Sequence, residues 1–173
     1  LVAENEPVTT VASALFCTNN VGNAATAGEG KEVVRENILK GAKIIACSGY
    51  TNDEEKPDFL LDGKTDTKWC DVSQTPNYVD FDLGKAQNIS GWKMVNAGQE
   101  SHSYITNGCF LQGKMNPGDE WTTLDAIDGN HANVISRPLN YDGKVRYIRL
   151  LVTRPTQSTG GRDTRIYELE VYK

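Results

Sequence analysis

Long hydrophobic runs are missing from this sequence. No apolar stretch approaches the ~20 residues that a helix needs to cross a bilayer. The opening Leu1-Val-Ala-Glu-Asn-Glu-Pro7 has neither the basic flank nor the apolar centre of a secretory leader. The chain starts without Met, so the expectation is a piece of a longer protein. A basic stripe is also missing: 23 Asp and Glu against 18 Lys and Arg, interspersed, leave a formal net charge of −5. Proteins that track phosphates concentrate positive charge, so no nucleic-acid partner is expected. The same balance weighs against docking on an anionic membrane. Cys17, Cys47, Cys70 and Cys109 show no CxxC spacing, and only two His accompany them, which argues against zinc. Four cysteines allow two disulfides in any of three pairings, or buried free thiols, and spacing does not choose.

Catalytic signatures are absent too. There is no GxSxG elbow, no HExxH and no Gly-rich phosphate loop. Paired carboxylates such as Asp80/Asp82 and Glu168/Glu170 are two residues apart on strand-like patterns. They therefore share a face as surface charge or cation ligands, instead of straddling a cleft as a glycosidase pair does. The reading is a protein without catalysis of its own.

What is present fits a turn-rich globular chain of 173 residues, with 38% apolar residues, 16 Gly, three Trp and seven Tyr. Residues 1–36 differ from the rest. A strand is possible over 8–17, residues 18–30 are small and polar like a linker, and 32–40 carry a helical pattern too short to stand alone. Residues 1–36 are thus expected to be a linker or the tail of a preceding domain, and 37–173 a domain. Within 37–173, residues 78–83 alternate strictly: Val79, Phe81 and Leu83 face one way, Asp80 and Asp82 the other. That is the pattern of a half-buried antiparallel strand. Further strands are expected over 43–48, 89–95, 108–115, 121–127, 133–139, 145–153 and 165–172. Turns such as Asn116-Pro-Gly-Asp119 and Asp142-Gly143 separate them. About eight short strands without a long helix indicate an all-β antiparallel sandwich or jelly roll.

Phe59-Leu-Leu-Asp-Gly-Lys-Thr-Asp-Thr-Lys-Trp69 places a carboxylate, a hydroxyl and several carbonyls within one turn, a set that suits a hard cation. On the last strand, Tyr167, Leu169 and Val171 are expected on one face and Glu168 on the other, where a buried carboxylate needs a partner. These segments, with Asn37-Ile-Leu-Lys-Gly41, Tyr78-Val-Asp-Phe-Asp-Leu-Gly84, Trp121, Val145-Arg-Tyr-Ile-Arg-Leu150 and Ile166-Tyr-Glu-Leu-Glu-Val-Tyr172, follow one order along the chain. In that order they resemble the discoidin, or coagulation factor type C (F5/8 type C), domains, which include the family 32 carbohydrate-binding modules. The resemblance implies a discoidin-like jelly roll of the galactose-binding-domain type. It also implies a structural Ca²⁺ held by the side chains of Asp62, Thr67 and Glu168 and the carbonyls of Phe59, Lys64 and Tyr167. Relatives often carry Asp or Asn where Lys64 stands. The alternative is an Asx turn in which Asp62 caps its own backbone, with Glu168 paired to an Arg.

The segment from Asn96 to Asn107 is the expected ligand loop, because it gathers Asn96, Glu100, His102, Tyr104 and Asn107. Sugars need planar donors and acceptors for hydroxyls and an aromatic face for C–H groups. Tyr50 or Tyr104 would supply the face, and Arg137 and Arg162 would reach in from other loops. The expectation is a non-catalytic carbohydrate-binding module with a glycan as partner. It would be an accessory domain of a larger secreted glycoside hydrolase, placed outside the cytoplasm: secreted, periplasmic or at the cell surface. Discoidin-type protein binding or adhesion is the alternative. A membrane partner is disfavoured by the acidic Thr51-Asn-Asp-Glu-Glu-Lys56 loop, which would repel anionic lipid.

Overall fold

A computed structural model describes residues 34–173. The expectations over 1–33, including most of the linker or tail and the strand over 8–17, lie outside the described residues. Nine strands form two antiparallel sheets: β1 (Lys43–Cys47), β2 (Trp69–Asp71), β3 (Asn77–Asn88), β4 (Gly91–Asn96), β5 (Gly108–Lys114), β6 (Thr122–Ile127), β7 (Val134–Pro138), β8 (Lys144–Arg154) and β9 (Thr164–Tyr172). One sheet has five strands in the order β1-β3-β8-β5-β6, and the other has four in the order β2-β9-β4-β7. Two short 3-10 helices, Pro57–Leu61 and His102–Tyr104, lie in connecting loops. The all-β antiparallel sandwich is what the alternating segments predicted. β2, only three residues long, has no periodicity to announce it.

Alternation fills the interior. Val79, Phe81, Leu111, Ile148, Leu150 and Val152 from the larger sheet meet Trp69, Trp92, Met94, Ile166, Leu169 and Val171 from the smaller one in a single cluster. Burying aromatic and branched side chains at about 1.5–3 kcal/mol each makes this cluster the main stabilising element. The helical pattern over 32–40 does not become a helix in its described part. Asn37 instead bridges to Tyr172, and its carboxamide accepts the Leu39 N–H at 3.1 Å. Ile38 and Leu39 enter the core from the following turn, which Gly41 closes at φ 84°. Tertiary burial, not helical propensity, decides that segment.

Two expectations about strand faces are corrected. Asp80 and Asp82 do point away from the core, but they are not loose surface charge. Arg149 clasps Asp80 with two bonds of 2.6 and 2.8 Å, and Arg146 clasps Asp82 at 2.9 and 3.0 Å. The Arg149 guanidinium also lies over Tyr78 and Trp121, so this outer face is a packed ladder. On β9, Tyr167 does not share a face with Leu169 and Val171. Val95 pairs with Glu168 but Asn96 pairs with Ile166, so Tyr167 is the extra residue of a β-bulge and the alternation changes phase there. Ile166 and Leu169 both face the core, while Tyr167 packs with Val95, Ala97 and Tyr104.

Cys47, Cys70 and Cys109 are free and not bonded to one another, which removes every two-disulfide pairing. Burial pushes the Cys109 thiol up to about 12, so it behaves as an apolar side chain. Arg137 is a structural residue. Its guanidinium holds Asp125 of β6 at 2.7 and 3.0 Å, and the same carboxylate accepts the Trp92 indole N–H at 2.8 Å, tying β4, β6 and β7 together. Asp125→Ala should therefore lower the unfolding free energy by about 2–4 kcal/mol, because it strands both donors. Urea denaturation measures this, and a loss below about 1 kcal/mol would show that the link is not structural.

Candidate functional site

The connections after β1, β2, β4, β6 and β8 gather at one end of the sandwich, because antiparallel pairing returns the chain there on alternate turns. The segment after β1 is pinned along β2. Thr51 donates its N–H to the Cys70 carbonyl, Cys70 to the Glu55 carbonyl, and the Trp69 indole to the Gly49 carbonyl at 2.9 Å. The segment after β4 turns through the helix His102–Tyr104, whose entry Ser101 caps by accepting the Ser103 N–H.

Glu100 is the hub of this end. Its carboxylate pairs with Lys68 at 2.9 Å and Arg165 at 3.2 Å, and accepts the Tyr167 hydroxyl at 2.8 Å. Lys68 also reaches Glu55 at 3.3 Å. Partial burial opposes ionisation of Glu100, but the bonds from Lys68 and Tyr167 and the charges of Lys68 and Arg165 outweigh it. Its carboxyl lies below the ordinary value. Tyr104 lies with its ring 4.4 Å from the Arg165 guanidinium, a cation–π contact that fixes the ring. Lys68, Arg165 and Glu55 were not among the residues expected from sequence. Nothing local marks them, because Lys68 and Arg165 meet Glu100 from separate segments, and Glu55 joins through Lys68.

The other expected ligand residues divide. His102 is exposed beside Tyr104, and Arg162 is exposed on the connection after β8. Tyr50 is 49% exposed on the segment bound to Cys70, whose cross-strand partner is Arg165. Asn107 lines a cleft described below. Asn96 is not available to a ligand: it is fully buried, donates to the Asn133 carbonyl at 3.0 Å and accepts the Thr106 N–H at 3.1 Å. Its amide replaces missing backbone pairing where β4 ends. Arg137 sits on β7 and is occupied by Asp125, so it does not join the loop group.

The candidate cation residues come together beside the bulge. Asp62 accepts the Lys64 N–H at 2.9 Å and the Thr67 hydroxyl at 2.6 Å, and Glu168 accepts the same Lys64 N–H at 2.9 Å. The Asx turn is therefore present, but Glu168 forms no ion pair among the described residues. Lys64 faces both carboxylates with its amide N–H, where the resemblance implied its carbonyl. Burial, then the adjacent Asp62 carboxyl, pushes Glu168 up to about 7 against an ordinary 4.5. Phe59 lies in the 3-10 helix just before Asp62, and Tyr167 is the bulged residue, whose backbone groups fall outside regular pairing. Among the described residues no three His, Cys, Asp or Glu side chains converge on a metal position. A cation here would depend on two carboxylates, a hydroxyl and carbonyls, which is an all-oxygen set that Ca²⁺ accepts. The crowded, unneutralised Asp62 and Glu168 carboxyls fit such an ion.

A cleft of about 370 Å³ opens at the same end, lined by Thr75, Asn107 and the connection after β8. Gln157 secures that connection, donating its side-chain N–H groups to the carbonyls of Ile105 and Asn130, each at 2.8 Å. No helix among the described residues is long and apolar enough to cross a membrane.

The chain is similar to the family 32 carbohydrate-binding module of Streptococcus pneumoniae EndoD, at 26% identity and a TM-score of 0.68, over 80% of this chain and 99% of that one. It also resembles a chitosan-binding module from a Paenibacillus sp. IK-5 chitosanase/glucanase, solved with chitotriose, at 20% identity and TM-score 0.66, covering 79% and 100%. A third is the Clostridium perfringens module CpGH89CBM32-5, solved with GalNAc-beta-1,3-galactose, at 18% identity and TM-score 0.66, covering 80% and 100%. None of the curated protein sequences compared matches the chain. The F5/8 type C domain profile matches residues 44–169, from the first strand to the last. With the two-sheet topology and the shared architecture of these modules, that match establishes that the chain belongs to the F5/8 type C domain family.

Proposed function

We propose that this chain is a non-catalytic carbohydrate-binding module that meets its glycan at the loop end. We further propose that it holds a structural Ca²⁺ at Asp62, Thr67 and Glu168 and serves a larger secreted glycoside hydrolase. The observation that carries the glycan reading is the array around Glu100. Lys68, Arg165 and Tyr167 fix one another through that carboxylate, Tyr104 is held against Arg165, and His102 and Tyr50 are exposed nearby in the chain path. Sugar hydroxyls need such donors and acceptors held in place before binding, because a shallow site buries too little area to offset much ordering. The EndoD module and the Paenibacillus and Clostridium perfringens modules support the ligand class, and the chitosanase/glucanase origin of one supports the accessory role.

The cation reading rests on Glu168. A carboxyl whose folded value exceeds its unfolded one holds its proton more tightly when folded. Without a cation, stability therefore falls as pH rises from 4.5 towards about 7. A bound divalent ion reverses this by favouring the ionised pair. It would also neutralise two adjacent carboxyls and pin the segment from Asp62 to Thr67 against β9.

On a glycan array the chain should bind sugars and not anionic liposomes, and Tyr104→Ala or Arg165→Met should weaken binding by about tenfold or more. Binding to neither surface would favour a protein partner. Ca²⁺ should raise the melting temperature by several degrees, and Asp62→Ala should abolish the increment; an unchanged melting curve under chelation removes the cation. In chelator, Glu168→Gln should flatten the decline of stability between pH 4.5 and about 7. Urea titrations across that range test it, and a slope like that of the parent would assign the titration to another group.

A further inference from the structure

The cleft after β8 has a chemistry of its own, separate from the Glu100 array. Its lining residues are Thr75, Asn107 and the run from Thr153 to Gly161, with no carboxylate and no aromatic ring among them. Hydroxyls and amides make up the walls, and Arg154 is the only formal charge. At about 370 Å³ the space falls in the range of small-molecule sites.

Two features of the backbone aim that charge. Gly108 pairs with Arg154 while Cys109 pairs with Val152, so Thr153 is the extra residue of a bulge at the end of β8. Bulges re-aim the side chains beside them. Gly108 then leaves the guanidinium room: a Cβ at that position would lie 3.0 Å from Arg154 Nε. Gly161 also has no room for a side chain, which would collide with the Thr156 hydroxyl. Gln157, already bonded to Ile105 and Asn130, meets His131 Nδ1 at 2.5 Å and braces the far wall.

Arg154 is paired with Asp128, on the turn after β6. That pair is open to water, with side-chain exposures of 52% and 85%, so it is screened and weak. A ligand carboxylate can take the place of Asp128, and a guanidinium can hold it with two parallel bonds. The ring hydroxyls of such a ligand would then meet Thr75, Asn107, Thr156 and Ser158, which Asp128 does not reach.

We propose that this cleft binds an acidic sugar residue, with Arg154 exchanging Asp128 for the sugar carboxylate and the surrounding hydroxyls and amides meeting the ring hydroxyls. The proposal rests on the glycan reading and narrows it, assigning selection for a uronic acid to a residue outside the Glu100 array.

The test titrates the full chain with galacturonic and glucuronic acids against galactose and glucose, by calorimetry and by amide NMR. One of the acids should bind and shift the resonances of residues 154–161, while its neutral counterpart leaves them in place. Arg154→Gln should weaken that acid by about tenfold, as the loss of a charge-assisted pair does. Added salt should also weaken it. Asp128→Asn should strengthen it a few-fold by removing the competing carboxylate. The melting temperature of Arg154→Gln confirms that the variant is folded. Equal binding of acidic and neutral sugars, or an Arg154→Gln protein that binds the acid like the parent, overturns the proposal. A chain that binds neutral glycans through Tyr104, with the 154–161 resonances unmoved by either acid, loses this proposal alone. A chain that binds no sugar loses both.

Discussion

β9 is the strand on which the rest of the molecule depends. It pairs with β2 on one side and β4 on the other, and it carries Ile166, Leu169 and Val171 into the core. Its pairing with β2 is regular, but its pairing with β4 changes register, with Tyr167 as the extra residue. The consequence is chemical. The phase change sends the Tyr167 hydroxyl to Glu100 and the Glu168 carboxyl to the Asp62 turn, so one irregularity supplies a residue to each of two polar sites.

Those two sites are physically joined. Gln99 donates to the Thr65 carbonyl at 2.9 Å, and Lys68 spans from the end of the Asp62 segment to Glu100. The proposed cation segment and the proposed glycan loop thus share a border made of hydrogen bonds. Beneath them the apolar core is continuous, and it gives the loops a rigid base on which small polar contacts can set their positions. Another bulge, at Thr153, does for Arg154 what the one on β9 does for Tyr167. In both cases a polar side chain is redirected at a sheet end where the ladder loses its register.

Much of the fold was legible because alternation is a strong signal. Val79 and Phe81 announce β3, and the expected bounds of β5, β6 and β8 agree with the observed ones to within a residue or so. β2 was hidden because three residues carry no period, and the turn at Ile38 and Leu39 mimicked a short helix. The oxygen-rich turn around Asp62 and Thr67 was legible in the residues, but its meeting with Glu168 was implied only by the resemblance, since Glu168 is about a hundred residues further along the chain. The segment from Asn96 to Asn107 was legible as a polar connection between strands, but its members were not told apart. Asn96 and Asn107 look alike in sequence, and only burial separates the structural amide from the accessible one.

The sequence by itself determined a two-faced set of short strands, because the polar and apolar alternation of segments such as β3 calls for sheets that share a buried interior. It also determined which segments are turns, through Gly, Pro, Asn and Asp. Tertiary structure alone decided which charges matter. Asp125 holds Arg137 on β7, away from the loop end, while Glu100 draws Lys68 and Arg165 together there. The reason is that a strand pattern specifies a face but not a neighbour. Electrostatic partners fall off within a few ångströms, and only the packed register sets those distances.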